Sequence, residues 1–181
     1  YDMSALPSLT ALYLDDNDLE ADSLAALPPQ LRHLNLSNNH CVTVPHGGIA
    51  GLLALTELDL SGNRLESVEG LGILVALIDL RLDGNRLTEV SIDLCLCAKL
   101  KRLSLKNNKL QSEGASGNQS IPAAVFTETQ LEEVLLDGNP SITRAIICAF
   151  DGVEVFSERR RLVRDRNHDN SARTHLFGNL Q

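Results

Sequence analysis

Tryptophan is absent from the 181 residues, and aromatic side chains make up only 3% of them. Whatever core forms must therefore be aliphatic. No run of 18 apolar residues occurs, which excludes an α-helical membrane span, and no charged-then-apolar leader opens the sequence. The motifs that announce chemistry are missing too: no G-x-x-x-x-G-K-[ST], no G-x-G-x-x-G after a strand, no H-E-x-x-H and no paired Cys-x-x-Cys. The five histidines are scattered, and Asp15-Asp16-Asn17-Asp18 lacks the spacing of a calcium loop. We accordingly expect no enzyme, and no catalytic, cofactor-binding or metal-binding residues. Cysteine is sparse, at four, with no cluster at either flank of the kind that staples secreted domains. Asn-x-Ser triplets at Asn35 and Asn118 carry little weight without a leader.

What the chain has in quantity is a period. The pattern L-x-x-L-x-L-x-x-N opens at Leu9, Leu31, Leu55, Leu77, Leu100 and, with Val134 at its fourth position, Leu131, and places an asparagine at Asn17, Asn39, Asn63, Asn85, Asn108 and Asn139. Successive copies lie 22, 24, 22, 23 and 31 residues apart. Leucines at the first, fourth and sixth positions bracket a short strand whose other residues alternate outward. One copy cannot bury that apolar face, whereas stacked copies share a parallel sheet and a continuous core. Where the chain turns out of the strand its peptide groups lose ladder partners, and a buried amide can both donate and accept across adjacent copies. All six asparagines therefore read as structural.

This pattern resembles the leucine-rich repeat family. The second halves of the copies, such as Ile121-Pro122-Ala123-Ala124-Val125-Phe126 and Val44-Pro45 followed by Ile49 and Leu52, are similar to the short intracellular type of 22–24 residues. The resemblance implies an α/β leucine-rich repeat solenoid, a curved right-handed horseshoe arc with one parallel concave sheet and a thin convex side of 3₁₀ turns or short helices. Residues 1–8 read as the end of a preceding repeat, 9–140 as six repeats, 141–166 as a C-terminal helical cap and 167–181 as a polar tail. Because the chain opens inside the pattern, further repeats or a partner are expected at the N-terminal edge. Cys41 and Cys97 occupy leucine slots and read as small buried hydrophobes, consistent with a cytoplasmic, reducing setting that includes the cytoskeleton.

Two segments depart from the frame. Glu113–Ser120 is a glycine- and serine-rich insertion, read as a tolerated surface loop, with partner contact as the sharper alternative. From Glu158 to Arg166 five arginines occur, at 159, 160, 161, 164 and 166. Interleaved acids and the lack of aromatic platforms favour a solvated helix face over a nucleic-acid patch.

Function is therefore expected on the concave sheet. Opposite charges neighbour each other there at Asp59 and Arg81, Asp79 and Arg102, Asp83 and Lys106, Arg102 and Glu133, and Lys106 and Asp137. The likeliest contacts with a protein partner are Tyr13, His33, Glu57, Asp59, Asp79, Arg81, Arg102, Lys106 and Leu135. Acidic residues outnumber basic ones by 19 to 10 over residues 1–150, which disfavours nucleic acid and would steer a basic protein partner. The reading is thus a non-enzymatic interaction module or scaffold. The alternatives are a targeting or regulatory arm of a larger protein and, third, an extracellular ligand receptor.

Overall fold

In a computed structural model of the protein the described residues are 6, 8–24, 27–114 and 119–177. Met3, most of the stretch 1–8, residues 115–118 of the insertion and the last four residues lie outside them. Each of the six repeats contributes a three-residue strand: β1 Ala11–Tyr13, β2 His33–Asn35, β3 Glu57–Asp59, β4 Asp79–Arg81, β5 Arg102–Ser104 and β6 Glu133–Leu135. They form one parallel sheet in sequence order, in a register that pairs equivalent repeat positions, such as Leu58 with Leu80 and Leu80 with Leu103. The strands are short because the apolar pattern leaves strand periodicity after its sixth position. The backbone ladder nevertheless continues beyond them, as in Leu60 N–H to the Arg81 carbonyl at 2.9 Å and Gly62 N–H to the Asp83 carbonyl at 2.7 Å.

The return arcs are short, as the compact repeats require. They hold 3₁₀ turns at Ala21–Ser23, Leu71–Ile73 and Ile92–Leu96, and two brief helices, α1 His46–Ile49 and α2 Ala123–Thr127. Between sheet and arcs lies a mainly aliphatic core in which the repeat leucines from Leu31 to Leu131 are buried, joined at its C-terminal end by Phe126, Phe150 and Phe156, with Cys41 and Cys97 fully enclosed in leucine slots.

The asparagine column does what backbone accounting asks of it. Asn85 Nδ2 donates to the carbonyls of Leu60 (2.9 Å) and Leu82 (3.0 Å), and its Oδ1 accepts from Leu65 N–H (3.0 Å). Asn39, Asn63, Asn108 and Asn139 repeat this bridge to the preceding repeat. Asn17, on the first strand's exit, is exposed and, among the described residues, donates to Leu14 and Asp15 of its own repeat.

Immediately before each asparagine is a second column absent from the sequence reading. Asp16, Asn38, Gly62, Gly84, Asn107 and Gly138 all take the left-handed backbone conformation, with φ between 52° and 77°. Asp, Asn and Gly are the residues that tolerate it, so the signal was present in the sequence as a column of residue types.

At the C-terminal end, α3 Arg144–Ala149 starts at Thr143, whose Oγ1 accepts from Ile146 N–H. Next, α4 Val153–Phe177 packs Phe156 against Phe126, with ring centroids 6.0 Å apart. It continues without a break across residue 166, where the sequence had suggested a boundary between cap and tail. Arg159 is no part of a solvated face. Its guanidinium donates to the carbonyls of Leu131 (3.0 Å) and Phe126 (3.4 Å), tying α4 to the last repeat. The insertion likewise reaches further inward than a surface loop. Ser120 is fully buried and its carbonyl accepts from Val90 N–H at 2.7 Å, so only the stretch before it is extra.

Candidate functional site

On the sheet face the outward positions of adjacent strands stand side by side, about 4.8 Å apart. Tyr13, Asn35, Asp59 and Arg81 form one row, and His33, Glu57, Asp79, Arg102 and Glu133 another. The nine expected contact residues thus come together on one face, though not with equal exposure. Tyr13 is 68% exposed, and Glu57, Arg81 and Arg102 are also exposed. His33, Asp59, Lys106 and Leu135 are half-buried.

Asp79 is the exception, at 5% exposed. Two guanidiniums cover it: Arg102 donates through Nε at 3.0 Å and lies at 2.9 Å through a terminal nitrogen, and Arg81 stands at 3.6 Å. A carboxylate taken out of water needs such company. Asp79 is therefore a positioning group beneath the face, and the arginines are what the surface presents.

The remaining lateral pairs are looser. Arg81 lies 3.8 Å from Asp59 and Lys106 3.9 Å from Asp137, whereas His33 Nδ1 approaches Glu57 to 3.0 Å, a pair missed in the sequence because histidine was not counted with the charges. Asp83 turns inward: its Oδ1 accepts from the Ser104 hydroxyl at 2.6 Å and from Lys106 N–H at 2.7 Å, so it serves the backbone instead of the Lys106 ammonium.

Two hollows result. One, of about 110 Å³, is bordered by Tyr13, His33, Glu57 and Asp59; the other, of about 290 Å³, by Arg102, Ser104, Lys106 and Leu135. Asp79 and Arg81 form the wall they share. A larger cleft of about 1040 Å³ lies away from the sheet face, between Glu66–Glu69, Thr88–Ile92 and the base of the insertion at Gln119 and Pro122. Its lining mixes Arg86 and Lys109 with Glu66, Glu69 and Asp151 and assembles no catalytic constellation. Among the described residues, no group of three or more His, Cys, Asp or Glu is placed to hold a metal ion. No helix among them is long and apolar enough to cross a membrane.

Six parallel strands in register, buried asparagines between them and thin outer arcs converge with comparison to known proteins. Residues 7–65 match a family model described as leucine rich repeat, and residues 96–117 match a second of the same description. This chain is a leucine-rich repeat protein. It is 33% identical over 105 residues to Toll-like receptor 6 of Bos taurus, covering 58% of this chain and 13% of that protein. It is 40% identical over 63 residues to keratocan of Homo sapiens, covering 35% of this chain and 18% of that protein. Among solved structures, a leucine-rich repeat protein of Leptospira interrogans superposes with a TM-score of 0.64 at 26% identity, over 80% of this chain and 35% of the other. The chain thus spans less than a fifth of the length of the two sequence relatives. Leucine-rich repeat proteins generally mediate protein–protein interaction and are typically non-enzymatic.

Proposed function

We propose that this leucine-rich repeat chain is a non-enzymatic module that binds another protein through its concave sheet face. The observation that carries the reading is the buried Asp79, which holds Arg81 and Arg102 in place while leaving both exposed. Donors fixed before binding lose little side-chain freedom on contact. Tyr13 adds a large exposed ring on the same face. The proposed contacts are those two arginines with Tyr13, His33, Glu57, Asp59, Lys106 and Leu135. The half-buried Leu9, Leu12, Leu14 and Leu19 support a further repeat or a partner against the first strand. The four unpaired thiols, two of them in core leucine slots, support a cytoplasmic setting.

The test is affinity capture from source-cell lysate, comparing the wild type with Tyr13→Ala/Lys106→Ala after circular dichroism shows that both are folded. These positions are chosen because reversing Arg81 or Arg102 would strand Asp79. A protein recovered by the wild type and lost with the variant supports the reading. Equal recovery by both would place binding elsewhere and reject it. The likeness to a Toll-like receptor favours a second reading, an ectodomain of a ligand receptor, which localisation of the full-length protein outside the cytoplasm would establish.

A further inference from the structure

Away from the sheet face, the return arcs of three neighbouring repeats leave an apolar strip open to solvent. In each of them the same tight turn precedes the next strand: Leu53 N–H donates to the Gly51 carbonyl, Val75 N–H to Ile73 and Ala98 N–H to Leu96, all at 2.9 Å. The register therefore stacks two outward columns, Gly51, Ile73 and Leu96 in one and Leu53, Val75 and Ala98 in the other. Their large members are exposed, Leu53 at 59%, Val75 at 52%, Leu96 at 60% and Ile73 at 40%. Neither column contains a charged residue, and the exposed Lys99 borders the strip at one end. The columns also grade in opposite directions. Along the chain the first grows from Gly51 to Leu96, and the second shrinks from Leu53 to Ala98. The space at the small end is open, since a methyl group on Gly51 would meet no atom within 4 Å. At the large end Leu96 lies over Gly72, where a methyl group would already crowd it.

We infer that this strip is the contact between two copies of the chain, related by a two-fold axis and running antiparallel. A half-turn about an axis across the columns, beside Ile73 and Val75, sets Leu96 of one copy over Gly51 of the other and Leu53 over Ala98. Ile73 and Val75 each face their own mates. Large thus meets small at both ends and equal meets equal at the axis, the self-complementarity that an isologous contact requires. A partner of unrelated sequence demands no such opposite grading. Grading alone also permits a parallel pair, with Leu53 over Gly51 and Leu96 over Ala98, and charge decides between the two. The first 31 residues hold six acids and no Lys, Arg or His. Parallel packing would set these two acidic ends side by side, whereas antiparallel packing keeps them apart. Each copy carries a net −8, so copies meet at least cost where no carboxylate stands, as in the strip. Its area is on the order of 500 Å² per copy, so a pair would bury about 1,000 Å², the size of a reversible contact and not of an obligate one.

Sedimentation equilibrium of the full chain over a concentration series tests this. The mass should rise from that of one chain toward twice that value, with a dissociation constant of roughly 10–100 μM. Added salt should tighten the pair, because screening relieves repulsion between two acidic chains and leaves the apolar contact intact. Val75→Arg, at a side chain already half in solvent, should leave the circular dichroism unchanged and weaken association by about tenfold or more, since two arginines then face each other at the axis. Gly51→Leu and Leu96→Ala should each weaken it several-fold. The double variant Gly51→Leu/Leu96→Ala should restore it, because the new leucine fills the place the old one left. A single-chain mass at every concentration up to about 1 mM, weakening by salt, or a dimer indifferent to Val75→Arg would overturn the inference. Rescue of Gly51→Leu by Leu53→Ala instead of Leu96→Ala would overturn the antiparallel order. Tyr13→Ala/Lys106→Ala should leave the dimer intact, and its loss in that variant would move self-association to the sheet face and reject the strip.

Discussion

Asn85 and Asn17 occupy the same repeat position, but among the described residues Asn85 bridges to the preceding repeat and Asn17 donates within its own turn. Replacing Asn85 with alanine would leave Leu65 N–H without its acceptor inside the core and take one of two amide donors from each of the Leu60 and Leu82 carbonyls. The expected cost is on the order of 3 kcal/mol, because buried groups left unpaired lose their full hydration. Asn17→Ala, whose donations stay within its own exposed turn, should cost less than about 0.5 kcal/mol. Urea denaturation of both variants checks the contrast. The thiols provide a second residue-scale expectation. Burial, reinforced by the neighbouring Cys95, pushes the Cys97 thiol up from 9.0 to about 11. Its thiolate is therefore suppressed when folded, and the exposed Cys148 should react with a thiol reagent well before Cys97 does. The unfolded chain loses this proton near pH 9 and the folded chain only near 11. Stability from this group is thus complete below pH 9 and declines as pH rises from 9 to 11, which denaturation at a series of pH values would reveal.

At the scale of the element, the strand exit is set by the left-handed residue in position eight. Gly62 and Gly84 share it, at φ 65° and 64°. A Cβ at Gly62 would collide with the Asn38 side chain, whereas one at Gly84 would find its nearest neighbours, in Gly62, at 3.6 Å. Gly84→Ala should cost roughly the 1–2 kcal/mol of the backbone conformation alone, and Gly62→Ala distinctly more. Thermal melts of the pair separate conformation from crowding. The terminal helix depends on one side chain in a comparable way. With Arg159→Ala the carbonyls of Phe126 and Leu131 lose their donor, and α4 keeps mainly the Phe156 contact with Phe126. Hydrogen exchange in α4 should accelerate selectively, while the amides of β2–β4 keep their protection.

The whole molecule is a one-dimensional stack, so a disturbance at one end should travel by neighbour coupling alone. Removing residues 141–181 takes away Phe150, Val153 and Phe156, all buried, and uncovers Phe126 and the last repeat. We expect β5 and β6 to lose exchange protection first, and size-exclusion chromatography to show association through the uncovered end. Much of this architecture was legible in the leucine frame: strand positions, register, thin arcs, the asparagine bridge and the two cysteines in leucine slots all follow from a period and its apolar positions. Less legible was the binding face. The frame assigned Asp79 and Arg102 to neighbouring outward positions, yet charge pairing along a row says nothing of depth. The role of Arg159 was hidden for the same reason, since a run of arginines looks alike in sequence whichever of them meets a carbonyl.

By itself, then, the sequence determined what repeats: which residues face inward, where each strand lies and which amide closes each turn, because periodic apolar spacing and backbone satisfaction are local requirements. Only the tertiary structure decided what does not repeat. It sank Asp79 beneath two guanidiniums, turned Asp83 to the backbone, drew Ser120 into the core and set Arg159 against the last repeat. Those outcomes depend on how far each group is removed from water and on which partner lies within reach across a neighbouring repeat. Depth and reach of that kind arise only once the repeats are stacked.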